Sequence, residues 1–375
     1  MEERKIPRYA FIDAARGLAL LAMVVVHAFD FWMDTQSESF GSFLWKGANF
    51  VGSLAAPLFL FLVGFNVFLS ARKIRISADK PGTEIFMRNF FRGWAIFFSG
   101  YIFNYLMFCL PDTKGHPLSE TFMIVQILHL IGLCLVLFSF VAPLGRYSVG
   151  LCLVLALFFG SFGPVFWEMK LPPSYFLTLL RGLPMEAYFP LFPWAFFPFM
   201  GYCGAWAFSR AHKGENLSGF MGMAFMAGSA LIIGSLGVLV LEGRLVNLLA
   251  MAYDEKAFFH MELPLLAFWL GMAALSLAAL YHIREVKQAR GPVMRTLEDF
   301  GKAAFFLFFF HYLVFRFTEP LGLTRGWYQG TLSAPLVAAL LPFLLVLCAF
   351  VCRGWLTLRV PLLKRLYRER PQGAP

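Results

Sequence analysis

The chain has 375 residues, of which 59% are hydrophobic and 14% charged, with a mean hydropathy of +0.68 and a formal net charge of +10. Soluble domains are roughly 45–50% apolar and about 25% charged. The composition therefore excludes a disordered chain, a disulfide scaffold, a coiled coil and a soluble enzyme of several domains, because so few charges could not cover a surface exposed to water. It predicts a polytopic membrane protein.

The predicted elements are membrane-spanning helices, each of which needs about 20 mainly apolar residues. In chain order, the runs that meet this requirement are residues 12–33, 51–70, 93–110, 121–145, 147–167, 187–209, 217–241, 263–281, 300–317 and 331–352. The sequence thus predicts an all-α bundle of about ten transmembrane helices. Since it contains no internal repeat and no soluble domain, residues 8–355 are expected to form a single transmembrane domain.

The distribution of Lys and Arg predicts the orientation of the chain. With the N-terminus inside, the cytoplasmic segments hold 22 of these residues and the opposite side holds 8. Because basic residues concentrate in cytoplasmic loops, both termini are predicted to be cytoplasmic. Residues 1–7 and 356–375 are expected to form short basic tails. The membrane is expected to be the plasma membrane or the inner membrane. The positive charge is explained by topology, and no nucleic-acid partner is expected.

The six cysteines lie in apolar stretches and form no CxxC pair. This placement is typical of buried cysteines that pack as small hydrophobic residues, and it predicts neither a disulfide framework nor a metal site. No permanently bound cofactor is expected.

The first predicted span carries four ionisable residues, Asp13, Arg16, His27 and Asp30. Ionisable residues at this depth cost several kcal/mol and mark functional sites by default. Residues three apart share one helix face, so Asp13 can pair with Arg16, and Asp30 can orient the His27 imidazole. The alternatives are an ion pair at the interface for Asp13 and Arg16, and a histidine satisfied by a neighbouring helix for His27.

Two further histidines, His129 and His311, occur at similar depth in their predicted spans. The alternative for each is a core histidine that donates to a backbone carbonyl. An intramembrane histidine with a carboxylate nearby suggests acyl transfer from a cytoplasmic thioester, with the phosphates of coenzyme A held by arginines and by a basic loop at Arg72 and Arg75. A proton-coupled transporter would also use buried His, Asp and Arg.

Five segments carry a resemblance to a known family over most of the chain. They are RYAFIDAARGLALLAMVVVH, APLFLFLVGFNVFLS, ILHLIGL, YFPLFPW and LEDFGKAAFFLFFFHYLVF. In this order they resemble the heparan-α-glucosaminide N-acetyltransferase catalytic-domain family, from Arg8 to about Phe315. The opening, with a histidine eleven residues after an arginine, also resembles membrane acyltransferases of the acyltransferase-3 type.

The resemblance implies acetyl-coenzyme A or another acyl-coenzyme A as the donor and a saccharide or glycan of the cell envelope as the acceptor on the far face. It implies that His27 is the catalytic base and that Arg16 binds the donor. Asp30 and Asp13, which share helix faces with these two residues, are expected to take part at the base and at the donor site. The residues expected to line the acceptor cavity are Trp45, His129, Tyr188, Trp194 and His311. A homodimer is compatible with this class.

The first predicted outer loop departs from the family pattern. The animal lysosomal members place their catalytic histidine just before a Trp-Asn-Gly, whereas here no histidine precedes Trp45, and Lys46 replaces the Asn. The heparan reaction itself is therefore not carried over, and His27 is the best remaining base. The other hypotheses are a transporter or flippase of a polar or lipid-linked substrate, and a catalytically silent member of an envelope assembly.

Overall fold

The computed structural model describes residues 9–34, 43–109, 122–169, 175–181, 188–245, 259–318, 320–323 and 330–368. The described residues are almost entirely helical, as the apolar runs predict. The one β-bridge among them joins Met33 and Leu332 in parallel. The predicted tail at residues 1–7 lies outside the described residues.

The described part of the chain forms fourteen α-helices. In order, the α-helices are α1 (Ala10–Trp32), α2 (Phe43–Ser53), α3 (Ala55–Ser77), α4 (Pro81–Asn104), α5 (Ile127–Val141), α6 (Tyr147–Glu168), α7 (Tyr175–Arg181), α8 (Leu191–Trp194), α9 (Phe196–Lys213), α10 (Leu217–Leu241), α11 (Leu263–Tyr281), α12 (Pro292–Lys302), α13 (Ala304–Phe317) and α14 (Ala334–Arg368). Single π-helical turns continue α4 at Tyr105–Cys109 and α11 at His282–Val286.

Within the described residues, seven helical segments are long and apolar enough to cross a membrane, or eight if a bent pair of helices counts as one span. The chain is therefore a polytopic helical membrane protein. Helix α4 does not meet this criterion although a predicted span overlaps it; it contains Arg88 and Arg92. Helix α13 has only 14 residues, which is about 21 Å of helix and shorter than a bilayer core.

The bent pair consists of α12 and α13, whose axes differ by 96° across Ala303. The sequence predicts one continuous span over residues 300–317, but the helix is interrupted inside this run. Several other boundaries also differ from the expectation, including the start of α4 at Pro81 where the predicted span begins at residue 93. Helix α3 continues to Ser77 because Ala71 and Ile74 remain buried, and α14 continues to Arg368, through much of the expected C-terminal tail.

The chain divides into two compact units, which we call the long unit (Asn49–Ala279) and the split unit (Tyr9–Ala48 with Leu280–Pro375). In the split unit, α1 packs against α12, α13 and α14. In the long unit, α3 packs against α9, α4 against α5, and α6 against α9.

Candidate active site

The N-terminal part of α1 places a buried ion pair against α12. Asp13 is 3% exposed, and its Oδ1 accepts a hydrogen bond of 2.9 Å from Nη1 of Arg16. The same Arg16 nitrogen donates to the carbonyl oxygen of Gly301 at 3.0 Å. The predicted pairing of Asp13 with Arg16 is confirmed, and it also joins α1 to α12.

A second set of polar contacts holds the start of α1. The backbone N–H of Phe11 donates to Glu285 Oε1 at 3.3 Å. Arg284 Nε donates to Glu298 Oε1 at 2.5 Å. Burial, with Tyr281 and Glu285 nearby, raises the pKa of the Tyr9 hydroxyl. These contacts fix the position of the Asp13–Arg16 pair relative to the π-helical turn after α11 and to α12.

The C-terminal part of α1 holds His27 between a carboxylate and a phenol. Its Nδ1 lies 3.3 Å from Asp30 Oδ2, as the spacing of three residues predicts. Its Nε2 lies 2.9 Å from the hydroxyl of Tyr312 on α13. Because the carboxylate accepts, Nδ1 carries the ring proton, so Nε2 has the lone pair and Tyr312 donates to it. Such an imidazole can take up a proton as a general base.

His311 lies directly beside this group. Its ring stacks on that of His27 with centroids 5.6 Å apart and planes 15° from parallel. Its Nδ1 donates to the carbonyl oxygen of Leu307 at 2.9 Å, which is the backbone contact expected of a core histidine. The side chain is fully buried, and within the described part of the chain its Nε2 has no hydrogen-bond partner.

His129 lies in the long unit and makes different contacts from those of His27. Its Nδ1 accepts the backbone N–H of Gln126 at 3.0 Å, and the Gln126 side chain in turn accepts the N–H of His129. The pair forms a capping box at the start of α5. The ring packs edge-on against Tyr101 at 4.6 Å. The alternative, donation to a backbone carbonyl, is not what these contacts show, because Nδ1 is an acceptor.

The other residues predicted to line the acceptor cavity are aromatic and largely buried. Tyr188 and Trp194 both pack near Phe259 in the long unit, with ring centroids 5.2 and 6.4 Å away. Trp194 Nε1 also donates to the Phe259 carbonyl at 3.0 Å. Trp45 lies in α2 and is 6% exposed. Tyr188 and Trp194 thus meet around one aromatic residue that the sequence did not single out.

The predicted phosphate-binding arginines, Arg72 and Arg75, lie in helix α3. The expectation of a basic loop there is wrong, because the helix ends only at Ser77. Arg72 is 8% exposed, and its Nη1 donates to the Ser209 hydroxyl at 2.6 Å. Arg75 donates to the carbonyl oxygen of Ala142. Both guanidinium groups therefore make contacts within the long unit.

The structure thus brings three predicted residues together in the split unit, namely His27, Asp30 and His311. It adds Tyr312, which sequence reasoning missed. The signal for Tyr312 in the sequence is weak, because a tyrosine in an aromatic-rich apolar run indicates packing. The one indication is that a buried tyrosine hydroxyl usually finds a hydrogen-bond partner. Among the described residues, no group of three or more His, Cys, Asp or Glu side chains is placed to hold a metal ion.

Comparison with known proteins adds one finding. A family model described as heparan-alpha-glucosaminide N-acetyltransferase, catalytic, matches residues 8–239. The matched part includes α1 with Asp13, Arg16, His27 and Asp30, and it ends before His311 and Tyr312. No curated protein sequence matches the chain.

Proposed function

The chain belongs to the heparan-alpha-glucosaminide N-acetyltransferase catalytic family, and from that premise we propose that it is an integral membrane acyltransferase that acts on a saccharide. It moves an acetyl group from acetyl-coenzyme A on the cytoplasmic face to a saccharide or glycan of the cell envelope on the extracytoplasmic face. The observation that carries this proposal is the His27 imidazole, held between Asp30 and Tyr312. No permanently bound cofactor is required.

In the proposed reaction, His27 is the base and Asp30 is its positioning residue. The acceptor's hydroxyl or amine attacks the thioester carbonyl, a new C–O or C–N bond forms, and the C–S bond breaks. The acceptor's proton goes to the His27 base, and coenzyme A leaves as the thiolate. The Asp30 carboxylate holds Nδ1–H, so that the lone pair stays on Nε2, and it stabilises the imidazolium that forms.

The remaining roles are also proposals. In the split unit, Arg16, fixed by Asp13, is a candidate ligand for the phosphates of the donor, because a guanidinium binds phosphate through charge-assisted hydrogen bonds. In the long unit, Arg72 and Arg75 are candidates for the same role. The candidate acceptor-binding residues are Trp45 and His311 in the split unit, and His129, Tyr188 and Trp194 in the long unit.

We propose that the chain crosses the membrane ten times, with both termini in the cytoplasm. The excess of Lys and Arg in one set of connections supports this orientation. It would expose the donor-binding arginines to cytoplasmic acetyl-coenzyme A. Reporter fusions at the two termini would test it, since a reporter active only outside the cytoplasm should be silent at both ends.

The reaction is tested with purified protein in nanodiscs, by following free coenzyme A released from acetyl-coenzyme A in the presence of an amino sugar. We expect acceptor-dependent release, and we expect His27→Ala to reduce it by about a hundredfold or more. The matched control is His282→Ala, because His282 is an exposed histidine in the π-helical turn after α11 and has no assigned role. Wild-type protein that binds no acetyl-coenzyme A would exclude the acyltransferase and leave a transporter as the better hypothesis.

A further inference from the structure

The ring nitrogen of His27 that would accept a proton already accepts a hydrogen bond. Asp30 lies at Nδ1, at 3.3 Å, and the Tyr312 hydroxyl lies at Nε2, at 2.9 Å. With the proton fixed on Nδ1, the only acceptor position left on the ring is Nε2, and Tyr312 fills it as the donor. An acceptor substrate therefore reaches the base through the phenol rather than directly.

We propose that Tyr312 is a catalytic residue, whose hydroxyl relays the acceptor's proton to His27. This inference rests on the proposed acyltransferase function and names a further residue in the same site. As the acceptor's oxygen or nitrogen attacks the thioester carbonyl, its proton passes to Tyr312 Oη. The phenol's own proton passes to His27 Nε2, and the C–S bond breaks to give the thiolate. Tyr312 is neutral before and after the step, and no other reagent is consumed.

The surroundings of Tyr312 hold its hydroxyl in this position. The residue is 6% exposed, and its ring packs edge-on against Phe31 at 5.9 Å and 87°. It also packs against its neighbour His311, with centroids 4.5 Å apart. Because Leu307 fixes the His311 ring, the phenol packs against one ring that is itself held in place. A relay group needs such confinement, since proton transfer demands heavy atoms within hydrogen-bond distance.

The same geometry disfavours transient acylation of His27. An acyl group could attach to the ring only at a nitrogen with a free lone pair, and that nitrogen is Nε2, which accepts the Tyr312 hydroxyl. A phenol oxygen can accept a hydrogen bond while it donates one. It is therefore suited to receive the O–H or N–H of a saccharide acceptor. The relay accordingly implies direct transfer from the thioester to the acceptor.

The test compares Tyr312→Phe with Tyr202→Phe in the nanodisc assay. Tyr202 is the matched control, because its buried hydroxyl also has a partner at 2.9 Å, Ser148, and it has no assigned role. We expect Tyr312→Phe to lower kcat by about a hundredfold or more, while the KM for acetyl-coenzyme A changes by less than about threefold. Tyr202→Phe should keep the wild-type kcat. Retained donor binding in Tyr312→Phe would show that the variant is folded.

Two further measurements separate a relay from mere packing. Because two protons move in the relay, the kcat of the wild type should fall in D2O by a larger factor than the kcat of Tyr312→Phe. Protein quenched with labelled acetyl-coenzyme A and no acceptor should carry no acetyl group. An acetylated His27, or a Tyr312→Phe kcat within about threefold of an active wild type, would overturn the relay alone. Wild-type protein with no acceptor-dependent release would overturn the proposed function, and the relay with it.

Discussion

The contact between α1 and α12 in the split unit and the contact between α3 and α9 in the long unit are built alike. Each helix brings a glycine against the backbone of the other: a methyl group on Gly301 would overlap the carbonyl oxygen of Asp13, and one on Gly201 would overlap that of Phe61. Small residues let helices in a membrane approach closely, where packing rather than the hydrophobic effect drives association. Within each unit, therefore, a glycine allows two helices to pack in close contact.

The units differ in what surrounds that contact. In the split unit it allows Arg16 to reach the carbonyl oxygen of Gly301, and the same helix carries His27. In the long unit the neighbouring side chains are aromatic, with Phe65 5.4 Å from Phe208. The long unit does contain a buried histidine, His129, but its Nδ1 caps a helix. His27 instead has a carboxylate at Nδ1 and a phenol at Nε2, and this difference in partners is the reason for which we propose His27 as the base.

The largest expected effect comes from breaking the shared contact. Gly301→Ala and Gly201→Ala each place a methyl group on a backbone atom that cannot rotate away, so the helices must separate. We expect each change to lower the free energy of unfolding by more than about 3 kcal/mol. Thermal unfolding in nanodiscs, followed by tryptophan fluorescence, would measure the loss.

The control for this prediction is Gly234→Ala on α10, where no atom lies within 4 Å of the added methyl. Its Tm should remain equal or rise slightly, because alanine favours a helix by up to about 1 kcal/mol over glycine. If only one of the two interface variants were destabilised, the two helix contacts would not depend equally on their glycines, and the likeness between them would be contradicted.

The next effect separates His27 from His129 through the carboxylate that only His27 has. Asp30→Asn removes the charge that holds Nδ1–H and stabilises the imidazolium, so kcat should fall by about a hundredfold, with Tm nearly unchanged because Asp30 is partly exposed. The coenzyme A release assay would measure it. Asp79→Asn, at an exposed carboxylate after α3, is the control. An Asp30→Asn enzyme with more than a third of the wild-type kcat would remove Asp30 from the mechanism.

The sequence predicts the parts of this comparison that depend on local spacing. The bounds of α10 and α11 match the predicted runs at 217–241 and 263–281, because each run is apolar throughout and has polar flanks. The His27–Asp30 pair follows from a separation of three residues on a helix. The contact of His27 with Tyr312 joins residues 285 positions apart, so no periodicity could indicate it. The break at Ala303 interrupts an apolar run whose composition favours one continuous helix.

The smallest expected effect compares Arg16 with Arg72 as ligands of the donor. Arg16 is 21% exposed and Arg72 is 8% exposed, and the Arg72 guanidinium already donates to the Ser209 hydroxyl. Arg16→Gln should raise the KM for acetyl-coenzyme A by about tenfold, which is the loss of one charge-assisted hydrogen bond. Arg72→Gln should raise it by about twofold or less but lower the Tm, since it leaves a buried hydroxyl without its partner. Initial rates at varied donor concentration, with the Tm of each variant, would separate the two. The reverse ranking of the KM values would identify Arg72, and not Arg16, as the ligand of the donor.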